Sequence, residues 1–177
     1  MPAYPIAVPP SPDSLLLELH RAHDGIVAAM EALIRLTWGA PPDRVLLCNA
    51  RWALSRASAG RRLLWADILH FLAPVADREA ALELRRLQDI DIALVRASAD
   101  HVGRWTIAAI LADWPGYCEA SQAMRGRMIS AMEAEKQILY PLLRSMGRPG
   151  PARDSAAMAP QTIMNHSSRA WPDRRAS

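Results

Sequence analysis

The sequence predicts an all-α fold: a single domain built as an up-down-up-down bundle of four helices. Apolar residues recur every three to four positions over four long segments, and no segment alternates in the manner of a strand. Short stretches with proline or glycine separate these segments, which favours antiparallel neighbours. At 177 residues the chain is long enough for one domain with a full core.

Composition divides the chain into an arm, a helical body and a tail. Residues 1–12 hold five of the fourteen prolines, which predicts an extended arm. Residues 13–146 carry the helical periodicity. Residues 147–177 lack an apolar period and are rich in proline, glycine, serine and arginine, which predicts a disordered tail. Five arginines and two aspartates in this tail account for the net charge of +3, because residues 1–146 balance 16 basic against 16 acidic residues.

The first two helices each carry a polar residue on an apolar face. The first is expected to begin at Asp13 or Ser14 and to end before Gly39. Its face consists of Leu16, Leu19, His23, Ile26, Met30, Leu33 and Thr37. Asp43 can cap the second helix, which Pro74 ends. The face of that helix consists of Leu47, Ala50, Leu54, Ala57, Arg61, Leu64, Ile68 and Phe71.

A third helix is expected from about Asp77 to the region of Trp105. Its face consists of Leu84, Leu87, Asp91, Leu94, Ser98, Val102 and Trp105. Residues 106–112 are apolar and predict a short connector or a single helical turn.

The fourth helix is predicted to open at Asp113, with Pro115 in its first turn, and to end near Met146. Its face consists of Tyr117, Met124, Met128, Ala131, Glu135, Ile138 and Leu142. Pro141 should kink its last turns, because proline lacks the backbone N–H and collides with the preceding turn.

Five polar residues on or beside these faces are candidates for function. His23 lies on the face of the first helix with His20 beside it, and Arg61, Asp91 and Glu135 occupy the other three faces. An unpaired buried carboxylate costs several kcal/mol, and the neighbours of Glu135 at three and four residues are apolar or small. The sequence therefore predicts a cation opposite Glu135, either a metal ion or an arginine.

Structural interpretations of the same residues stay open. A histidine on an apolar face is often a hydrogen-bonded core residue and not a ligand, which applies to His20 and His23. Asp91 could lie at the edge of a wide face and reach water. His70 and His101 lie near helix ends, where dipole contacts or exposure account for them.

Four short motifs connect the chain to a known family. They are the Leu-His-Arg-Ala-His-Asp run at 19–24, Arg51-Trp-Ala-Leu, Arg104-Trp105 leading to Ala112-Asp-Trp-Pro, and Glu135 through Leu143 with its Leu-Tyr-Pro end. Together they resemble bacterial hemerythrin-like, or HHE-type, proteins from Arg51 to Leu143, and the helix of His23 fits their first helix. The resemblance implies a four-helix bundle whose helices carry iron ligands.

The resemblance also implies that this chain has altered the iron site. In such proteins the second and fourth helices carry a His-x-x-x-Glu pattern before the Leu-Tyr-Pro type of ending. Glu135 matches the glutamate of the fourth helix, but Ala131 stands at the histidine. On the second helix Arg61 and Trp65 stand at the histidine and glutamate positions.

Few candidate ligands remain. The third helix offers Asp89 or Asp91 where a histidine is usual, so at most His23, Asp91 and Glu135 survive, with His20 nearby. A di-iron site needs several histidines and bridging carboxylates, which this set does not supply. One iron ion held by a histidine and two carboxylates is the alternative.

The preferred hypothesis has no cofactor. Arg61 would pair with Glu135 and Asp91 and replace the metal cation electrostatically, while Trp65 would fill the vacated volume. The function expected is then that of a metal-free binding or regulatory module without enzymatic activity, whose protein partner is contacted through the arm, the tail or the surface. The alternative is a non-haem iron protein that binds or senses oxygen, nitric oxide or metal.

Other function classes find little support in the sequence. The neutral body shows no basic face or reading motif for nucleic acid. No stretch has the 18 or more uninterrupted apolar residues of a membrane span, and the first residues lack the pattern of a secretory signal. A soluble, cytoplasmic protein is the expectation.

Overall fold

A computed structural model describes residues 10–147, and within them all regular structure is helical. The helices are α1 (Pro12–Leu36), α2 (Arg44–Leu72), α3 (Arg78–Arg104), α4 (Ile107–Ala112) and α5 (Trp114–Gly147). The all-α prediction is confirmed. The predicted connector or helical turn at 106–112 forms α4, so residues 10–147 contain four long helices and one short helix. The predicted arm and tail fall mainly on residues 1–9 and 148–177, outside the described residues.

Side chains that accept backbone N–H groups begin these helices. Ser11 caps α1 in a reciprocal arrangement with Ser14, and Pro12 occupies the first turn, where its missing N–H costs nothing. Asp43 accepts the N–H groups of Val45 and Leu46 at the start of α2. Asp77 and Thr106 cap α3 and α4 in the same way. The helix starts are therefore determined locally, by residues of the turn itself.

The four long helices pair in antiparallel fashion. At the α1–α2 interface, Leu15 and Leu19 share a core cluster with Ile68 and Leu72, whereas Leu33 shares another with Leu47. The indole N–H of Trp114 donates to the carbonyl of Gly39 at 2.8 Å, so α5 starts where α1 ends. α3 and α5 also run antiparallel. Leu139 and Leu143, near the end of α5, share a cluster with Leu84 and Leu87 near the start of α3. Near the start of α5, the ring centroid of Tyr117 lies 5.7 Å from that of Trp105, which follows the end of α3.

In residues 10–147, three clusters of buried residues follow one another along the helices. The first cluster joins the start of α1 to the ends of α2 and α5, and consists of Leu15, Leu19, Trp65, Ile68, Leu72, Leu84, Leu87, Leu139, Tyr140 and Leu143. A methionine-rich middle cluster consists of Ile26, Met30, Met124, Met128 and Met132. The third cluster consists of Leu33, Leu47, Trp105, Ile110, Trp114 and Tyr117.

The buried faces of three helices differ by one residue from the predicted ones. In α1, Leu15 is buried and the predicted Leu16 is half-buried. In α2, Trp65 and Leu72 are buried and Leu64 and Phe71 are only half-buried. In α5, Leu139 and Leu143 replace the predicted Ile138 and Leu142. Steps of four residues from Arg61 and Glu135 produce the shifts in α2 and α5, since a 3.6-residue period allows steps of three or four.

Two further expectations concern Pro141 in α5 and the apolar face of α3. α5 continues through Pro141, which is exposed, to Gly147. In the second half of α3, the predicted face residue Val102 is exposed. Within residues 10–147, no helix combines the length and apolarity that crossing a membrane requires.

Candidate functional site

Four charged or polar side chains from the four long helices meet between the first and the middle core clusters. His23 is 2% exposed, Arg61 3% and Glu135 3%, while the side chain of Asp91 is 17% exposed. We call these four residues and Tyr140 the core network. Asp89, the other aspartate considered on this helix, is exposed and lies outside it.

Arg61 bridges the two carboxylates of the network. One terminal nitrogen, NH1, donates to Oε1 of Glu135, and the other, NH2, donates to Oδ1 of Asp91 at 2.5 Å. The planar guanidinium presents its N–H groups in a fixed fork, so it can hold two acceptors from different helices at once. Arg61 therefore ties α2 to α3 and to α5 through charge-assisted hydrogen bonds.

His23 occupies the second oxygen of Glu135. Its Nε2 lies 2.9 Å from Oε2 of Glu135, and its Nδ1 lies 3.1 Å from the hydroxyl of Tyr140. A carboxylate only accepts, so Nε2 carries the proton and donates it. In neutral His23, Nδ1 is then an acceptor, and the Tyr140 hydroxyl donates to it.

Tyr140 connects the buried network to the surface. Its hydroxyl also lies 3.2 Å from Nδ1 of His20, which is exposed. Burial, together with the negative charges of Asp24 and Glu135, raises the pKa of Tyr140 above its ordinary value, so the phenol stays protonated and able to donate. A hydrogen-bonded chain thus runs from His20 through Tyr140, His23 and Glu135 to Arg61.

Tyr140 was not among the sequence candidates. It falls outside the face predicted for α5, because that face was extended by a three-residue step from Glu135 to Ile138. The signal was present in the Leu-Tyr-Pro motif, whose tyrosine lies on the side of α5 that faces the histidines of α1.

The charges of the network nearly balance. One guanidinium stands against two carboxylates, which leaves a formal charge of −1 when His23 is neutral. Glu135 shares its charge among Arg61 and the N–H of His23, and Asp91 lies at the edge, where water reaches it. In Glu135, Oε1 accepts from Arg61 and Oε2 accepts from His23, so both oxygens of this buried carboxylate are hydrogen-bonded.

The arrangement does not fit the metal ligand set implied by the resemblance. The guanidinium of Arg61 occupies the position between Glu135 and Asp91 that a bridging cation would need. His20 points its Nδ1 to Tyr140 and not to a carboxylate, so it does not join the candidate ligands. Among residues 10–147, no group of three or more His, Cys, Asp or Glu side chains is arranged to hold a metal ion.

The two positions at which the resemblance implies a histidine and a glutamate lie in the core. Ala131 and Trp65, which stand where the resemblance places a histidine and a glutamate, are both buried. Trp65 belongs to the first core cluster, one helical turn beyond Arg61. Its indole N–H has no hydrogen-bond partner in the described part of the chain.

Fold and site together define an all-helical protein with a buried ion-pair network that links its four long helices. Comparisons with protein-family models, with curated proteins and with solved structures find no match to this chain.

Proposed function

We propose that the chain is an up-down-up-down four-helix bundle of hemerythrin-like type in which an arginine has replaced the metal. The antiparallel pairing of α1 with α2, of α1 with α5 and of α3 with α5 supports this topology, with α4 as an insertion before the last long helix. The sequence motifs at His23 and at Glu135–Leu143 support the relationship.

The protein would act as a metal-free binding or regulatory module. One observation carries this proposal: Arg61 donates to both carboxylates that could otherwise bind a cation. A guanidinium keeps its charge at any physiological pH, so the bundle would stay assembled without iron. Such a module would act by presenting its surfaces, and no catalytic role follows from the network.

A mononuclear iron site is the second candidate. It is favoured by the 2.9 Å approach of His23 Nε2 to Glu135 Oε2, since the two groups could turn toward a shared cation. Asp91 could supply a third ligand from the edge. This candidate requires Arg61 to leave the position between the carboxylates.

Metal content distinguishes the two candidates. Full-length protein would be purified anaerobically from iron-supplemented cells, and its metals measured by plasma mass spectrometry beside an optical spectrum. The proposal predicts substoichiometric metal that is unchanged in His23→Ala and in the control His70→Ala. Near-stoichiometric iron that is lost in His23→Ala and kept in His70→Ala would overturn it in favour of the iron protein.

A gain-of-function variant tests the replacement itself. Arg61→His returns a potential ligand to the second helix and removes the competing cation, so this variant should bind Zn²⁺ or Fe²⁺ more tightly than the wild type in a calorimetric titration. The conservative variant Arg61→Lys is the control, because it keeps the charge and adds no ligand. Equal metal affinity in all three proteins would contradict the replacement hypothesis.

A further inference from the structure

A second cluster of polar and charged side chains lies toward the other end of the described helices. A cavity of about 340 Å³ opens there between α2, α3 and α5. It is distinct from the core network, and none of the five network residues lines it. Exposed Ser55 and Val95 stand at its edge, so it is accessible from solvent.

The wall of this cavity carries positive charge. Arg51 and Arg62 of α2, Arg125 of α5 and His101 of α3 line it, and no aspartate or glutamate does so within the described residues. None of the three arginines takes part in an ion pair in this part of the chain. Three half-buried guanidinium groups thus face one space without a counter-charge.

Polar atoms inside the cavity also lack partners. Tyr117 is 0% exposed and Ser121 is 2% exposed, and both line the cavity. The hydroxyls of these two residues and one terminal nitrogen of Arg125 are buried, and within residues 10–147 they have no hydrogen-bond partner. Buried polar atoms are nearly always hydrogen-bonded, so an unpartnered donor set on one cavity wall indicates a missing acceptor.

The lowered pKa of His101 is consistent with a cavity that lacks a negative charge. Burial, and after it the charges of Arg51 and Arg125, lower the pKa of His101 below its ordinary value. Burial likewise lowers the pKa of Arg125. An anion in the cavity would relieve both effects, because it would supply the opposite charge that the wall lacks.

Three serines, Ser55, Ser58 and Ser98, also line the cavity. Its apolar lining consists of Leu33, Leu54, Val95, Ala99, Val102, Met124 and Met128. Methionine side chains adjust to irregular shapes, which suits contact with the apolar body of a ligand. A volume of 340 Å³ equals about eleven water volumes at ~30 Å³ each, so a ligand of about ten to fifteen non-hydrogen atoms fits.

We infer that this cavity binds a small amphipathic carboxylate, whose head group pairs with Arg125 and Arg51 and accepts hydrogen bonds from Ser121 and Tyr117, while its apolar body lies against Met124, Met128 and the leucines. A fork of N–H groups matches the two oxygens of a carboxylate. This inference does not depend on whether Arg61 replaced a metal, because the two sites share no residue.

Titration of the full-length wild-type protein with decanoate tests the ligand class. Decanoate, below its micelle concentration, should bind saturably in isothermal calorimetry and raise the melting temperature. 1-Decanol has the same chain without the charge, and it should bind about ten- to 100-fold more weakly, as expected for loss of charge-assisted hydrogen bonds. Equal binding of the two, or no saturable binding of decanoate, would overturn the proposal.

Variants locate the site. Arg125→Gln and Arg51→Gln should each weaken decanoate binding by about tenfold or more, while the exposed-residue control Arg127→Gln should bind as the wild type does. Circular dichroism would establish that each variant is folded. Wild-type affinity in both Arg125→Gln and Arg51→Gln would contradict the location. Tighter binding of decyl phosphate than of decanoate would contradict the carboxylate assignment.

Discussion

Arg61 stabilises the core because its geometry meets two needs at once. Glu135 is almost fully buried, and a buried carboxylate without a partner is strongly destabilising. Asp91 lies on a different helix, so a single cation must reach both groups. The two terminal nitrogens of one guanidinium do this. An ammonium group is a compact point charge and could not present the same planar fork.

Tyr140 should contribute to stability through its hydroxyl as well as its ring. Tyr140→Phe keeps the ring in the first core cluster but leaves Nδ1 of buried His23 without a partner. We expect a loss of about 1–3 kcal/mol in the free energy of unfolding, measured by urea denaturation.

The matched control for that substitution is Tyr140→Phe in a His23→Leu background. There the hydroxyl no longer has a buried partner, so the additional loss should be much smaller. If the losses simply added, the Tyr140–His23 hydrogen bond would not be a stabilising contact.

At the level of single residues, periodicity placed His23, Arg61 and Glu135 on apolar faces, and these three are buried. The pattern works because a charged residue surrounded by apolar neighbours at three and four positions has no route to water. Periodicity could not identify Tyr140, since its role depends on the rotation of α5 relative to α1. The hydrogen-bond partner of a buried group is a tertiary property.

The helices themselves follow from local chemistry. Ser11, Asp43, Asp77 and Thr106 cap their starts, and the long segments carry apolar residues at helical spacing. Helix existence and approximate bounds were therefore predictable. The one-residue shift of the buried faces in α2 and α5 was not, because steps of three and of four residues fit one period equally well until the helices pack.

A glycine inside α2 gives a prediction at the scale of the helix. Gly60 is exposed, and a Cβ there would meet nothing within 4 Å. Gly60→Ala should raise the free energy of unfolding by about 0.5–1 kcal/mol, because alanine loses less backbone entropy on helix formation.

Gly39 is the contrasting position in the turn between α1 and α2. Its φ of +96° lies where residues with a Cβ are strained. Gly39→Ala should therefore lower stability, by roughly 1–3 kcal/mol. Destabilisation by Gly60→Ala in the same denaturation assay would mean that α2 is not a regular helix at that point.

At the scale of the whole helical body, residues 10–147, the two ends differ. One end buries its leucines and the core network, whereas the other leaves half-buried arginines around a cavity. Burial, and after it the positive charges of Arg51 and Arg125, lower the pKa of His101, so this histidine reports on the cavity end.

The lowered pKa of His101 implies a defined pH dependence. Below pH 6.5, the ordinary pKa of this side chain, His101 binds a proton in the unfolded chain more readily than in the folded protein. Stability from this group is therefore present above pH 6.5 and is lost as the pH falls through the lower folded-state pKa. His101→Gln should reduce the slope of unfolding free energy against pH in this range, measured by urea denaturation.

Arg51→Gln is the companion variant. It removes one positive neighbour but leaves the burial of His101, which is the larger cause of the shift, so it should reduce the slope less than His101→Gln does. Identical slopes of unfolding free energy against pH in the wild type and in His101→Gln would mean that the pKa of His101 is not lowered in the folded protein.

Arg61 supplies the positive charge of the core network, and a double-mutant cycle with Glu135 measures its contribution to stability most directly. Urea denaturation would give unfolding free energies for the wild type, Arg61→Met, Glu135→Gln and the double variant, with Arg56→Met as an exposed control on the same helix. We predict that Arg61→Met loses on the order of 3–5 kcal/mol, that the double variant recovers most of this loss, and that Arg56→Met stays close to the wild type. A stability of Arg61→Met equal to that of the wild type, or losses that add in the double variant, would show that Arg61 does not stabilise the core by pairing with Glu135.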